Sequence, residues 1–215
     1  MMRDLATSTD AAVLGAGLHT ADSIRWTPRL RVDKYDDDMV TYVAERTNYA
    51  YGKPVSHPRP LYGADFEALG VTPAEVVEVE GNLLTTAGLT RLTSLLTGAG
   101  GTAVTTTTAR IGVGNSSTAA AVGQTDLQAA AGSGNRWFQI MDATYPQTSA
   151  GVVTLRATFA TGDGNFVWAE CGTDVATATV ASSAVVGSLL LNRFVQALGT
   201  KASGSWVLTE TITFS

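Results

Sequence analysis

Apolar and polar residues alternate with period two over several stretches in the second half of the chain. From Val152 to Phe159, Val153, Leu155, Ala157 and Phe159 take turns with Thr154, Arg156 and Thr158, which predicts a half-buried strand. Residues 136–145 alternate around Phe138 and Ile140, and 205–214 place Trp206, Leu208, Ile212 and Phe214 on one face. Gly162-Asp163-Gly164-Asn165 is a turn sequence, so the strand before it and the one at 166–171 are expected to form a hairpin. A further strand is predicted at 189–198. With Ile111 and Val113 set between glycines, and a possible strand at 104–108, these short segments suffice for an antiparallel sandwich.

A helical period stands out once. In NLLTTAGLTRLTSLL, residues 82–96, Leu84, Leu92, Leu95 and Leu96 recur at spacings that lay an apolar stripe along one side, and Gly98 is placed to cap the end. This helix is expected to close the core of the β domain as a lid. Ahead of it the pattern is weaker. Carboxylates at Asp36, Asp37 and Asp38 precede residues 39–46 and favour the positive end of a short helix. Thr72-Pro73-Ala74-Glu75 has the form of a capping box with proline at the first helical position, and Val77 and Val79 then alternate with Glu78 and Glu80. Residues 48–63 carry three prolines and three tyrosines and read as an extended linker.

Pro28 bars a helix through IRWTPRLRVDKY, residues 24–35, and favours an extended path. Arg25, Trp26, Arg29, Arg31 and Tyr35 are of types enriched at protein interfaces, and are the candidate partner-contacting residues. The competing expectation is that Trp26 and Leu30 pack down on the β domain. The fold expected is mainly β: an antiparallel β-sandwich with one packed helix and an extended N-terminal arm. Residues 1–80 would form the arm with short helical turns, and 81–215 the helix plus sandwich.

Charge follows the same division. Residues 1–80 hold 8 Lys/Arg against 13 Asp/Glu, so the leading segment carries all of the chain's net charge of −5. No basic patch suggests a nucleic-acid partner. Charged residues make up only 15% of the chain, below the roughly 25% of ordinary soluble domains, which suits a protein whose faces are covered by neighbours and predicts a homo-oligomer. No stretch approaches the roughly 20 apolar residues of a membrane span, and the N-terminus lacks the apolar run of a signal peptide, so no membrane partner is expected.

Candidate chemistry is sparse. Gly112-Val113-Gly114 begins a dinucleotide-binding pattern, but Ser117 stands where its third glycine belongs and no helix pattern follows. The acids at 33–45 fail the EF-hand pattern, with Asp38 at the glycine position and Ala44 at the final glutamate position. His19 and His57 lie apart, without Cys, Asp or Glu at ligand spacing, so no metal or cofactor is expected. Cys171, the only cysteine, reads as a small buried hydrophobe. Asp126, Asp142, Asp163, Glu170 and Asp174 are scattered, and no histidine follows His57, so a Ser-His-Asp site and enzymatic activity are not expected. A carbohydrate-binding or hydrolytic module, using Trp137 or Trp206 to stack on sugars, is a weaker alternative because both rings suit a core.

Four segments in order, GNLLTTAGLTRLTSLL, ARIGVGNSSTAAAVGQTDLQ, RATFATGDGNFVWAECG and LLLNRFVQALGTKASGSWVLTETITFS, resemble a module of structural proteins in tailed bacteriophages. The resemblance covers residues 80–215. It departs from that pattern at Cys171 and in the Ala/Val/Ser-rich insert at 177–188. It implies a non-enzymatic virion component without catalytic residues, whose partners are phage structural proteins. On that basis the chain is expected to be a capsid decoration or minor capsid protein held by its arm to the major capsid protein, or else a tail, baseplate or fibre protein contacting the host.

Overall fold

The computed structural model of the protein describes residues 25–50, 53–176, 181–183 and 189–215. In chain order its elements are β1 (Trp26–Tyr35), α1 (Asp37–Thr47), the two-residue strands β2 (Tyr49–Ala50) and β3 (Lys53–Pro54), α2 (Gly63–Ala68), β4 (Glu75–Glu80), β5 (Leu83–Leu84) and α3 (Thr86–Thr97). There follow β6 (Ala109–Gly114), β7 (Arg136–Ile140), β8 (Gln147–Ser149), β9 (Val152–Phe159), β10 (Val167–Val175), β11 (Asn192–Thr200) and β12 (Ser205–Phe214). The fold is mainly β. One five-stranded antiparallel sheet has the order β4-β1-β12-β9-β8, and a second has the order β5-β11-β10-β6-β7.

The period-two positions meet between the sheets. Leu30 and Val32 of β1, Leu155 and Phe159 of β9, and Leu208 and Ile212 of β12 pack with Ile111, Val113, Trp168, Cys171 and Phe194 of the second sheet. Trp168 stacks edge-on against both Phe159 and Trp206, at centroid distances of 4.8 and 4.7 Å. Cys171 is buried, as its setting in a strand led us to expect. A smaller apolar cluster lies on the outer face of the first sheet, where α1 and α2 bring Val43 and Phe66 onto Tyr35 and Val207. Asp36 starts α1 by accepting from the Met39 N–H at 3.0 Å, the role its position suggested.

Helix α3 closes one end of the sandwich. Its first turn is set by Thr85, whose Oγ1 accepts from the Gly88 N–H at 2.9 Å and donates to the Leu190 carbonyl at 2.5 Å. It ends at Gly98, which takes the left-handed conformation at φ +68°. Leu92 and Leu95 line an apolar recess of about 180 Å³ with Trp26, Val153, Ile212 and Phe214. Leu96, 86% exposed, and Leu89 fall outside the seam. The helix starts at Thr86, one turn after the expected start at residue 82, because Leu83 and Leu84 pair with Arg193 and Asn192.

The outer face of the second sheet is covered by the segment between β6 and β7. Leu127 from that segment clusters with Phe138 and Leu190. The IGVG glycines leave room for it: a Cβ on Gly112 would lie 2.5 Å from the Phe138 ring and 2.9 Å from Leu127. Gly112→Ala is therefore expected to cost about 1–3 kcal/mol, read from the midpoint of a denaturant melt. Beneath the same segment Glu170 and Arg193 form an ion pair at 2.6 Å, with both side chains fully buried. The Glu170 carboxylate also accepts from the N–H groups of Gln128 and Ala129, at 3.1 and 2.7 Å.

Several expectations are corrected. β9 and β10 do not form a hairpin, since each belongs to a different sheet and the turn between them crosses from one layer to the other. Lys201 holds that crossing by donating to the Ala160 carbonyl and to Asn165 Oδ1, at 2.8 and 2.9 Å. β11 and β12, at the end of the resembling segments, likewise lie in different sheets. Residues 104–108 are not a strand, and 106–108 form a turn. Thr72 and Pro73 start no helix, because Ala74 donates to the Lys34 carbonyl at 2.8 Å and β4 runs straight into the sheet beside β1. Among the described residues there are three helices, the expected α3 and the shorter α1 and α2 in the stretch where helical turns were expected. The largest difference concerns the arm. β1 is extended as expected, but it is paired with β12 along ten residues and with β4 on its other side, so the boundary at 80/81 runs through the first sheet. Pro28 is tolerated because it lies at the end of the β1–β4 ladder, where the Gly81 N–H donates to its carbonyl at 3.0 Å and the ladder goes no further to need an N–H from residue 28. Residues 1–24, with His19, and most of the insert at 177–188 lie outside the described residues.

Candidate partner-contacting surface

The alternation of β1 separates the five candidate residues. Trp26 points inward, meets Phe214 edge-on at 5.4 Å, and donates from Nε1 to Asn82 Oδ1 at 2.9 Å. Tyr35 stacks on Phe66 at 4.0 Å and is only 5% exposed; burial pushes its hydroxyl up to about 12. Arg25 is exposed and exchanges main-chain hydrogen bonds with Ser215, extending the β1–β12 ladder. Only Arg29 and Arg31 share a surface. They stand on the outer face of the first sheet, next to each other along β1 and opposite Glu80 and Glu78.

That face is built from three alternating strands. Arg29 pairs with Glu80 at 3.1 Å, while Arg31 is held between Glu78 at 2.9 Å and Asp33 at 2.7 Å. The hydrogen bond that Arg31 donates to Asp33 chiefly, with the charges of Asp33 and Glu78, raises the Arg31 pKa despite partial burial. Thr209 and Thr211 of β12 complete a shallow groove of about 270 Å³. Its chemistry is that of a flat, fixed pattern of charges and hydroxyls suited to contact with another surface. Exposed pairs of this kind contribute at most about 1 kcal/mol to stability, so the fold does not depend on them. Glu78, Glu80, Thr209 and Thr211 were not among the sequence candidates. The signal for them was present in the alternation of EVVEVE and of VLTETITF in β12, once β1 is known to lie between β4 and β12.

No family model, curated protein or solved structure matches the chain.

The remaining polar chemistry is spent inside the fold. Of the five scattered acids, Asp126 pairs with Arg136 at 2.7 Å and Asp174 with Arg110 at 2.5 Å. Asp163 accepts from the Ala160 N–H at 3.2 Å, and Glu170 is engaged by Arg193. Asp142 is buried between β9 and α2, where it accepts from Gly63 N, Thr158 N and Thr158 Oγ1. Burial raises its pKa against the opposing effect of these donors and Arg156. Lys201, lowered to about 8 chiefly by burial, is likewise occupied with carbonyls. Of the two tryptophans considered for sugar stacking, Trp206 is in the core under Lys34, and Trp137 packs partly against the core and donates to Gln139. His57 Nδ1 lies 3.0 Å from Ser56 Oγ, and among the described residues no three His, Cys, Asp or Glu gather as a metal site. No helix of the described residues is long and apolar enough to cross a membrane.

Proposed function

We propose that the protein is a non-enzymatic structural component of a tailed-phage virion, a homo-oligomeric decoration protein bound to the major capsid protein. The observation that carries this reading is the order of the four resembling segments. They supply nearly all of α3, β6, half of β9, most of β10, and β11 and β12, so the resemblance follows the framework of the fold and not a single motif. Two features favour a surface-contact role. The outer face of the second sheet carries its own covering segment, while the first sheet presents Arg29, Arg31, Glu78, Glu80, Thr209 and Thr211 to its surroundings. The buried acids are committed to hydrogen bonds and ion pairs that hold strands and loops together.

Imaging purified particles tests the proposal. Density for this sandwich repeated across the shell is expected. Copies confined to the tail would overturn the decoration role in favour of a tail or baseplate one, and absence from the particle would overturn both. Arg29→Glu with Arg31→Glu is expected to leave the melting temperature within a few degrees of the parent. If the open face makes the contact, it also reduces incorporation into particles at least tenfold.

A further inference from the structure

Glu210 occupies an unusual place. It sits on the inner face of β12, between Leu208 and Ile212 along the strand and opposite Leu30 of β1 and Leu155 of β9, so its own sheet offers it nothing polar. It is 1% exposed. Its partners come from across the sandwich and from the chain leading into β5. Oε2 lies 2.6 Å from Thr173 Oγ1 of β10, and Oε1 accepts from Asn192 Nδ2 of β11 and, at 3.4 Å, from Asn82 Nδ2. Each amide is itself oriented: Asn192 Oδ1 accepts from the Thr173 N–H at 3.0 Å, and Asn82 Oδ1 from the Trp26 indole.

Among the described residues no Lys or Arg pairs with this carboxyl. From β1, the inward cation Lys34 is committed to Glu75 and the Trp206 ring. From β10 the titratable group facing the same interior is the Cys171 thiol, which burial raises well above its ordinary range and so keeps neutral. Glu170 and Arg193 neutralise each other. From β11 and β9 the inward neighbours are Phe194 and Leu155, which carry no charge. An ionised carboxylate with three neutral donors and no cation would be an uncompensated charge in an apolar core. A protonated one can donate to the Thr173 hydroxyl while accepting from both amides.

We propose that Glu210 is a proton-operated clasp between the two sheets. Protonated, it ties β12 to Thr173 and to the start of β11; ionised, it weakens that tie next to the seat of α3, where Thr85 is bonded to Leu190 and Leu191. The direction of its shift agrees, since burial pushes its pKa up to about 7 against the opposing bonds of Thr173 and Asn192. The folded form then holds a proton that the unfolded chain gives up near 4.5. This contribution is complete below pH 4.5, declines as pH rises toward 7, and is gone above it.

The test compares the intact chain with Glu210→Gln, which keeps an oxygen for Asn192 and an N–H group for Thr173, in denaturant melts from pH 5 to 8. The ratio of the two unfolding constants is expected to change on the order of a hundredfold across that range, with the wild type losing ground as pH rises. Amide exchange at residues 190–193 should quicken with pH in the wild type beyond the chemical rate and not in the variant. Parallel melts would overturn the proposal. Infrared difference spectra of the wild type decide the matter even if the variant does not fold: a buried protonated-carboxyl band that persists above pH 6 supports the clasp, and its loss by pH 5 overturns it.

Discussion

Removing residues 1–70 is expected to leave a chain with no cooperative unfolding transition, although the same truncation looks harmless if the leading segment is taken as an arm. The deletion takes out β1, a strand with a partner on each side, and with it α1 and α2. Leu30 and Val32, both at 1% exposure or less, would be missing from the middle of the core, and β12 would face solvent along one edge. A small-scale version of the experiment is Leu30→Ala, expected to cost about 2–5 kcal/mol. Circular dichroism of the truncated chain and a chemical melt of the point variant read the two outcomes. A truncated chain that melts cooperatively would show that β12 and β4 can close the sheet without β1.

The second large effect is expected at Glu170. Glu170→Ala leaves Arg193 buried with its charge unanswered, apart from the bond of Nη1 to Gln124, and leaves the N–H groups of Gln128 and Ala129 without their acceptor. Arg193 Nη2 has no hydrogen-bond partner among the described residues, so nothing in place takes over. Removing one member of a buried pair costs about 3–5 kcal/mol. A Glu170→Met, Arg193→Met double variant is expected to lie closer to the parent than the single alanine change. It should not reach it, because the two backbone N–H groups remain unpaired. Thermal melts order the three proteins, and faster amide exchange at Gln128 and Ala129 would locate the damage in the segment over the second sheet.

Much of the architecture was legible because period-two alternation survives wherever one strand face meets the core. Val152–Phe159 and Ser205–Phe214 are strands with the bounds their patterns suggested. What alternation does not encode is which sheet a strand joins. The turn at 162–165 has hairpin chemistry, yet the strands it connects continue into opposite layers, since the partners of each are fixed by distant residues. The same limit hid β1. Its pattern is that of any half-buried strand, and the strands that flank it, β4 and β12, lie far along the chain. The capping box at Thr72 lost to a backbone bond with Lys34 that no local rule contains. Of the candidate surface, Arg29 and Arg31 were readable, but their acidic neighbours depended on the register between β1 and β4. Glu170 appeared as an isolated acid because Arg193 is brought to it only by the pairing of β10 with β11.

The pairing of Trp26 with Phe214 through Tyr35 with Ser205 also sets an order of events during synthesis. β12 is the middle strand of its sheet, and β1 and β9 are both incomplete until it arrives. A chain emerging from the ribosome must carry the β12-facing edge of β1 unpaired until residues 205–214 have been made. Long-range closure of this kind is slow and leaves strand edges open to other chains. Yield should therefore depend on synthesis rate and on chaperone supply more than on the stability of the finished fold.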